Sequence, residues 1–149
     1  MSGELDGAAL ANGLERVVAL LRRLAPGEGV SLAKAATLRT LDTHGPCRVS
    51  ELAARDGITQ PAMTQLVSRL EHDGYAERRS CEGDARVVMV HLTAAGADLL
   101  RRRRAARAEL LAQLAGRLSA DDRAALEAAL PALDRLVAAY HTDSGGTST

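Results

Sequence analysis

Between Thr59 and Gly96 the spacing of apolar residues changes period twice, and few small folds accommodate that. Met63, Leu66, Val67 and Leu70 recur at helical spacing behind Thr59, a capping residue type, and Pro61, which a first helical turn tolerates. The reading is a helix over about 60–73, closed by Asp73-Gly74. The period then shortens to two. Tyr75 to Arg79 is extended in character, residues 80–86 form a turn cluster, and Val87 to Leu92 is β-branched and apolar. Two such runs around a Gly-Asp turn predict a β-hairpin. Thr93 then caps a long helix over about 94–117.

The rest of the chain reads as helix. Its 29 Ala, 23 Leu and 18 Arg are good helix formers. Residues 5–25 carry Leu10, Leu14, Val17, Val18, Leu21 and Leu24 on one face and stop at Pro26-Gly27. Ser31 caps a helix of about 32–44 with Leu32, Ala35, Leu38 and Leu41 as its apolar members, ended by Gly45-Pro46. A short helix fits 49–55, with Val49, Leu52 and Ala53 inward and Asp56-Gly57 as its turn. Ser119 to Asp122 resembles an acidic capping box at the start of a last helix, about 120–140, which Pro131 is expected to kink. The tail from Thr142 is expected to fray. Two helices joined by a Gly-containing turn and followed by a hairpin make a winged helix-turn-helix. The fold class is therefore mainly α with a small β-hairpin wing, the core occupying 32–93 and 94–117 connecting it to a last helix within 118–141. The apolar faces of 5–25 and 118–141 exceed what so small a centre can bury, which predicts dimerisation helices.

The helix at 60–73 turns Gln60, Pro61, Ala62, Thr64, Gln65, Ser68 and Arg69 away from its apolar stripe. Gln can bond adenine bidentately, Arg guanine, and Ala or Thr can touch a thymine methyl, so the face suits a major groove; Pro61 shapes the helix start. An ordinary solvated face has the same composition, and spacing alone leaves both readings open. The hairpin adds Arg78 and Arg79 on its first strand and Asp84 and Arg86 near its tip. Alternation puts Asp84 and Arg86 on one side, where the carboxylate could orient the guanidinium for a narrow minor groove. Arg48, Ser50, Arg78 and Arg79 are phosphate candidates. With two Tyr and no Phe or Trp, base-stacking modules for single strands are unlikely on composition.

The segment from Leu52 to Gly96 resembles the MarR family of bacterial transcriptional regulators. The pieces are Glu51-Leu52-Ala53, the run Ile58 to Glu71, Gly74-Tyr75-Ala76-Glu77-Arg78, Asp84-Ala85-Arg86 and Leu92-Thr93-Ala94-Ala95-Gly96. The Asp-x-Arg wing followed by Leu-Thr-x-x-Gly is the most specific combination, and the flanking helices match in order. The resemblance implies a homodimer with interlocked terminal helices on a pseudo-palindromic double-stranded operator, its recognition helices roughly 34 Å apart. It also implies a regulator, often a repressor, released by a small anionic or phenolic effector bound between the dimer region and the DNA-binding lobe. Arg23, Lys34, Thr37 and His44 are the candidates for such a pocket.

Formal net charge is zero, but Arg78 to Arg107 holds eight Arg against three acids, a net +5. The run Arg101-Arg102-Arg103-Arg104 covers all sides of a helix, so its members cannot share one role; a solvated stretch paired with acids is favoured over DNA contact. Cys47 and Cys81 open an alternative, a redox-responsive regulator, with Cys81 beside Arg79 on the wing. Peroxide-sensing relatives carry their cysteine in the first helix with supporting tyrosines, and this first helix has neither. A further alternative is a winged helix that binds a protein partner instead of DNA. The four scattered His show no metal-ligand spacing, no cofactor is implied, and no catalytic arrangement is visible. An acidic start without a signal-peptide n-region, and no apolar run long enough to span a bilayer, lead to the expectation of a cytoplasmic protein free of the membrane.

Overall fold

The computed structural model describes residues 5–24 and 29–144, with side chains to Tyr140. Its elements are α1 (Gly7–Arg23), α2 (Leu32–His44), α3 (Val49–Asp56), α4 (Gln60–His72), β1 (Ala76–Cys81), β2 (Asp84–Leu92), α5 (Ala94–Ala115) and α6 (Ala120–Ser144). The chain divides into two compact units after Ala108. The expected stop at Pro26-Gly27 and the tail beyond Ser144 lie outside the described residues.

The helix starts follow their caps. Asp6 accepts from the Ala8 and Ala9 N–H groups, Ser31 from Lys34, Thr59 from Ala62, Thr93 from Gly96, and Ser119 from Asp122. The reciprocal half of the Ser119 box is different: the Asp122 carboxylate accepts the Ser119 hydroxyl proton at 2.6 Å. α6 runs unbroken through Pro131 and on to Ser144, so Thr142 to Ser144 are helical where fraying was expected.

The winged-helix core is one apolar cluster. Leu38 and Leu41 from α2, Leu52 from α3, Met63, Val67 and Leu70 from α4, Val90 from β2 and Leu99 from α5 are among its buried members, with Val49, Tyr75 and Leu92 among those at its edge. Each such side chain contributes about 1.5–3 kcal/mol on burial. Leu32, expected on this face, remains 40% exposed. α1 contributes no buried residue.

The hairpin is longer and tighter than the sequence suggests. Ladder pairs run from Ala76 opposite Leu92 to Ser80 opposite Val88; Cys81 then faces Asp84, so Ala85, Arg86 and Val87 fall outside the regular register. The turn is only Glu82 and Gly83, and Gly83 at φ 96 takes a conformation that side chains disfavour. Pairing at Ser80 and between Cys81 and Asp84 extends the two strands over Ser80, Cys81 and residues 84–86, read as turn. Cys47 adds a bridge to β2: its N–H donates to the Val90 carbonyl at 3.2 Å and its carbonyl accepts from the Val90 N–H at 2.8 Å. That bridge ties the entry of α3 to the base of the wing.

Candidate nucleic-acid interface

α3 and α4 meet at Gly57, whose φ of 67 ends α3, while the Ile58 N–H reaches back to the Ala53 carbonyl at 3.1 Å. This corner fixes the roll of α4. Met63, Leu66, Val67 and Leu70 turn inward, and Gln60, Pro61, Ala62, Thr64, Gln65, Ser68 and Arg69 are all exposed. Two hydroxyls on that face donate to the helix itself. Thr64 donates to the Gln60 carbonyl at 2.9 Å, and Ser68 to the Thr64 carbonyl at 3.0 Å. Thr64 Oγ1 keeps acceptor capacity suited to a base amino group, while Ser68 Oγ is also met by the Arg78 guanidinium at 3.4 Å.

The wing brings a second set of residues to the start of this helix. A groove of about 270 Å³ is lined by Arg48, Val49 and Ser50 of the α3 start, Gln60 of the α4 start, and Arg86, Val87 and Val88 of β2. Four residues singled out from sequence thus converge, and no carboxylate stands among the lining residues. Among the described residues the Arg86 guanidinium meets no acceptor. The expected Asp84 contact takes another form: its carboxylate accepts the Arg86 backbone N–H at 3.0 Å, so it shapes the tip backbone and leaves the guanidinium alone. In the unevenly paired stretch next to a tight turn, the nearest donor to Asp84 is main chain.

The other candidates separate. Arg79 pairs with Glu77 in solvent. Arg78, expected at a phosphate, faces α4 and bonds Glu71, Ser68 and the Thr64 carbonyl. Arg23, Lys34, Thr37 and His44 are held in four different ways. Arg23 is exposed at the end of α1, Lys34 bonds Asp73 at 2.5 Å, and the His44 ring meets Arg55 at 3.3 Å. Thr37 is wholly buried and donates to Asp56 at 2.6 Å. The helical period sets Thr37 one turn before Leu41 on the core face.

The arginine run has divided roles. Arg101 pairs with Asp98, Arg104 with Asp42 at 3.1 Å, and Arg103 is 3% exposed. A cationic cluster that spacing within one helix could not reveal forms between α2 and α5. Burial lowers the pKa of Arg39, and Arg107, Arg103 and Arg104 lower it further, against the pull of Asp56. Arg107 Nε is buried and meets no hydrogen-bond acceptor among the described residues. Cys47 is buried, donates to the Gly45 carbonyl, and has its pKa pushed up by burial. A protonated, enclosed thiol is a poor redox sensor. No helix among the described residues is long and apolar enough to cross a membrane.

Comparison with known proteins agrees with this geometry. A sequence model of the MarR family matches residues 30–88. An uncharacterized HTH-type transcriptional regulator of Mycobacterium bovis is 32% identical over 117 residues, covering 78% of this chain and 82% of its own. A MarR family protein from Bacillus stearothermophilus has the same fold at a TM-score of 0.73, with 23% identity over 88% of this chain and 94% of that one. The apo form of wild-type MarR from E. coli gives a TM-score of 0.70 at 23% identity, over 87% of this chain and 98% of its own.

Proposed function

The chain belongs to the MarR family of HTH-type transcriptional regulators, DNA-binding winged-helix proteins rather than enzymes, and we infer that it acts as a homodimeric repressor on a pseudo-palindromic operator. The observation that carries the DNA reading is the acid-free groove joining Arg48, Ser50, Gln60 and Arg86 beside the exposed face of α4. In this reading Gln60, Ala62, Thr64, Gln65, Ser68 and Arg69 read the major groove, with Pro61 shaping the helix start. Arg86 enters the flanking minor groove on a tip backbone held by Asp84, and Arg48, Ser50 and Arg79 take phosphates.

Exposed apolar faces support a second copy of the chain as the partner. On α6, Leu126, Leu130, Val137 and Tyr140 are 55, 59, 58 and 72% exposed and, with Leu133, recur at alternating steps of four and three, the spacing of a helix-packing seam. α1 adds Leu10, Leu14 and Val17 along one shallow groove. Release by a small anionic effector finds better support at Arg39 and Arg107, where cations gather and a buried N–H meets no acceptor among the described residues, than at Lys34, Thr37 and His44.

The test is selection of bound duplexes from fragmented genomic DNA at two salt concentrations, then titration of the selected duplex with Arg86→Ala. Salt-dependent selection and a strong loss of affinity with the dimer intact are expected. Unchanged affinity removes the wing assignment, and no salt-dependent DNA binding at all favours the reading of a protein-binding winged helix.

A further inference from the structure

We propose that Arg78 is a positioning residue that sets the wing on the recognition helix, and that its contribution to DNA affinity passes through Glu71 and not through a phosphate. The inference rests on the DNA-binding reading above and assigns Arg78 a role within it.

The geometry is a clamp. The Glu71 carboxylate accepts the Arg78 backbone N–H at 2.8 Å with one oxygen and the Arg78 guanidinium with the other. The same guanidinium reaches Ser68 Oγ at 3.4 Å and the Thr64 carbonyl at 3.3 Å. One strand residue therefore holds two turns of α4, from residue 64 to residue 71, along the edge of the face that would read bases. Arg78 and Glu71 side chains are 28 and 30% exposed, so both are partly shielded from screening.

The clamp also continues across the hairpin. Arg78 pairs with Val90 in the ladder, Val90 is buried and bridges to Cys47, and Cys47 precedes Arg48 at the start of α3. Glu71, Arg78, Val90 and Cys47 form one line from α4 through both strands to α3. The line ends next to Arg48, which lines the groove together with Gln60 and Arg86. Tilting the wing at Arg78 would change the distance from Arg86 to Gln60 without altering either residue.

A phosphate contact and a clamp predict opposite signs for Glu71. If Arg78 touched a phosphate, the neighbouring carboxylate would oppose it, and Glu71→Gln would tighten binding. If Arg78 is a clamp, Glu71→Gln loosens the wing and weakens binding even though the protein loses a negative charge. The duplex selected by the wild-type protein is titrated by fluorescence anisotropy against Arg78→Ala, Glu71→Gln and the double variant, over a range of NaCl and well below the unfolding temperature. About tenfold weaker binding is expected for either single variant, the loss typical of a hydrogen bond to a charged group, and no further loss in the double. The salt slope should match wild type, and discrimination at flanking bases should fall while discrimination at bases facing α4 persists. That last pattern separates positioning from general loss of structure.

Tighter or unchanged binding by Glu71→Gln overturns the proposal. So does a salt slope shallower by about 0.9 in Arg78→Ala, the value of one phosphate neutralised by a protein cation. Should the wild type select no DNA, the functional reading fails separately, and hydrogen exchange of the hairpin amides still decides the clamp. Faster exchange in β1 and β2 of both single variants supports it, and wild-type exchange overturns it.

Discussion

Gly96 is the third residue of α5, where the helix passes against the backbone of Tyr75. A methyl carbon added there would lie 2.3 Å from the Tyr75 carbonyl oxygen and 2.7 Å from Leu92 Cδ1. The Leu92 methyl can rotate away. The carbonyl cannot, because it is main chain and accepts the Thr93 N–H at 3.2 Å. In Gly96→Ala the start of α5 must retreat by roughly 1 Å before ordinary contact returns. Overpacking of this kind costs about 1–3 kcal/mol, and weakening the Thr93 bond adds up to about 1 kcal/mol. Against this, alanine is favoured over glycine in a helix interior by at most about 1 kcal/mol, less in a first turn. The net expectation is a loss of about 1–3 kcal/mol. Urea unfolding followed by far-UV circular dichroism checks it, with wild type and variant at one protein concentration because a dimer's apparent stability depends on it. Helix propensity alone predicts the opposite sign, so a variant as stable as wild type, or more stable, refutes the close-approach argument.

Three other perturbations have expected outcomes. Thr37→Val removes the 2.6 Å bond to Asp56, which keeps its bond from Thr40 at 2.7 Å; the loss should be about 1–2 kcal/mol in the same urea assay, and none would mean the bond is dispensable. In the folded protein a disulfide reagent should consume Cys81 promptly and Cys47 only after denaturant is added, since Cys47 is 4% exposed; rapid reaction of both thiols would contradict that burial. Leu130→Glu with Val137→Glu should give a monomer by light scattering, and a persistent dimer would take α6 out of the interface.

How far the sequence is legible depends on how many local signals agree. α4 is readable because a cap, a first-turn proline and an apolar stripe all specify the same helix, and the core it fills matches. The wing's extent is not, because strand pairing at Ser80 and Asp84 is decided by the chain opposite and not by local composition. The Cys47 bridge is a single pair and has no period to read. The direction of Arg78 is within reach of strand alternation, which puts it on the same side as Ala76. Ala76 is 3% exposed, so that face points inward toward α4, while Arg79 shares the other side with Glu77. The helical step from Thr37 to Leu41 gives the same kind of warning about a pocket residue.

Charge shows the limit most clearly. Counting Arg78 to Arg107 by itself yields a strongly basic stretch, but the acids that answer it lie partly outside that stretch. Glu71 holds Arg78, Glu77 holds Arg79 and Asp42 holds Arg104, while Asp98 within it holds Arg101. Arg103 is buried, and Arg86 is the arginine of the segment among the groove's lining residues. Folding thus commits most of the apparent excess to internal pairs, and Arg48, remote in sequence, supplies the second groove cation. A chain of zero net charge with two groove cations draws little long-range attraction to DNA. Its discrimination must then come from how accurately the wing and α4 are held relative to each other. The Glu71–Arg78 ion pair joins the wing to α4, and the Cys47–Val90 bridge joins it to the entry of α3.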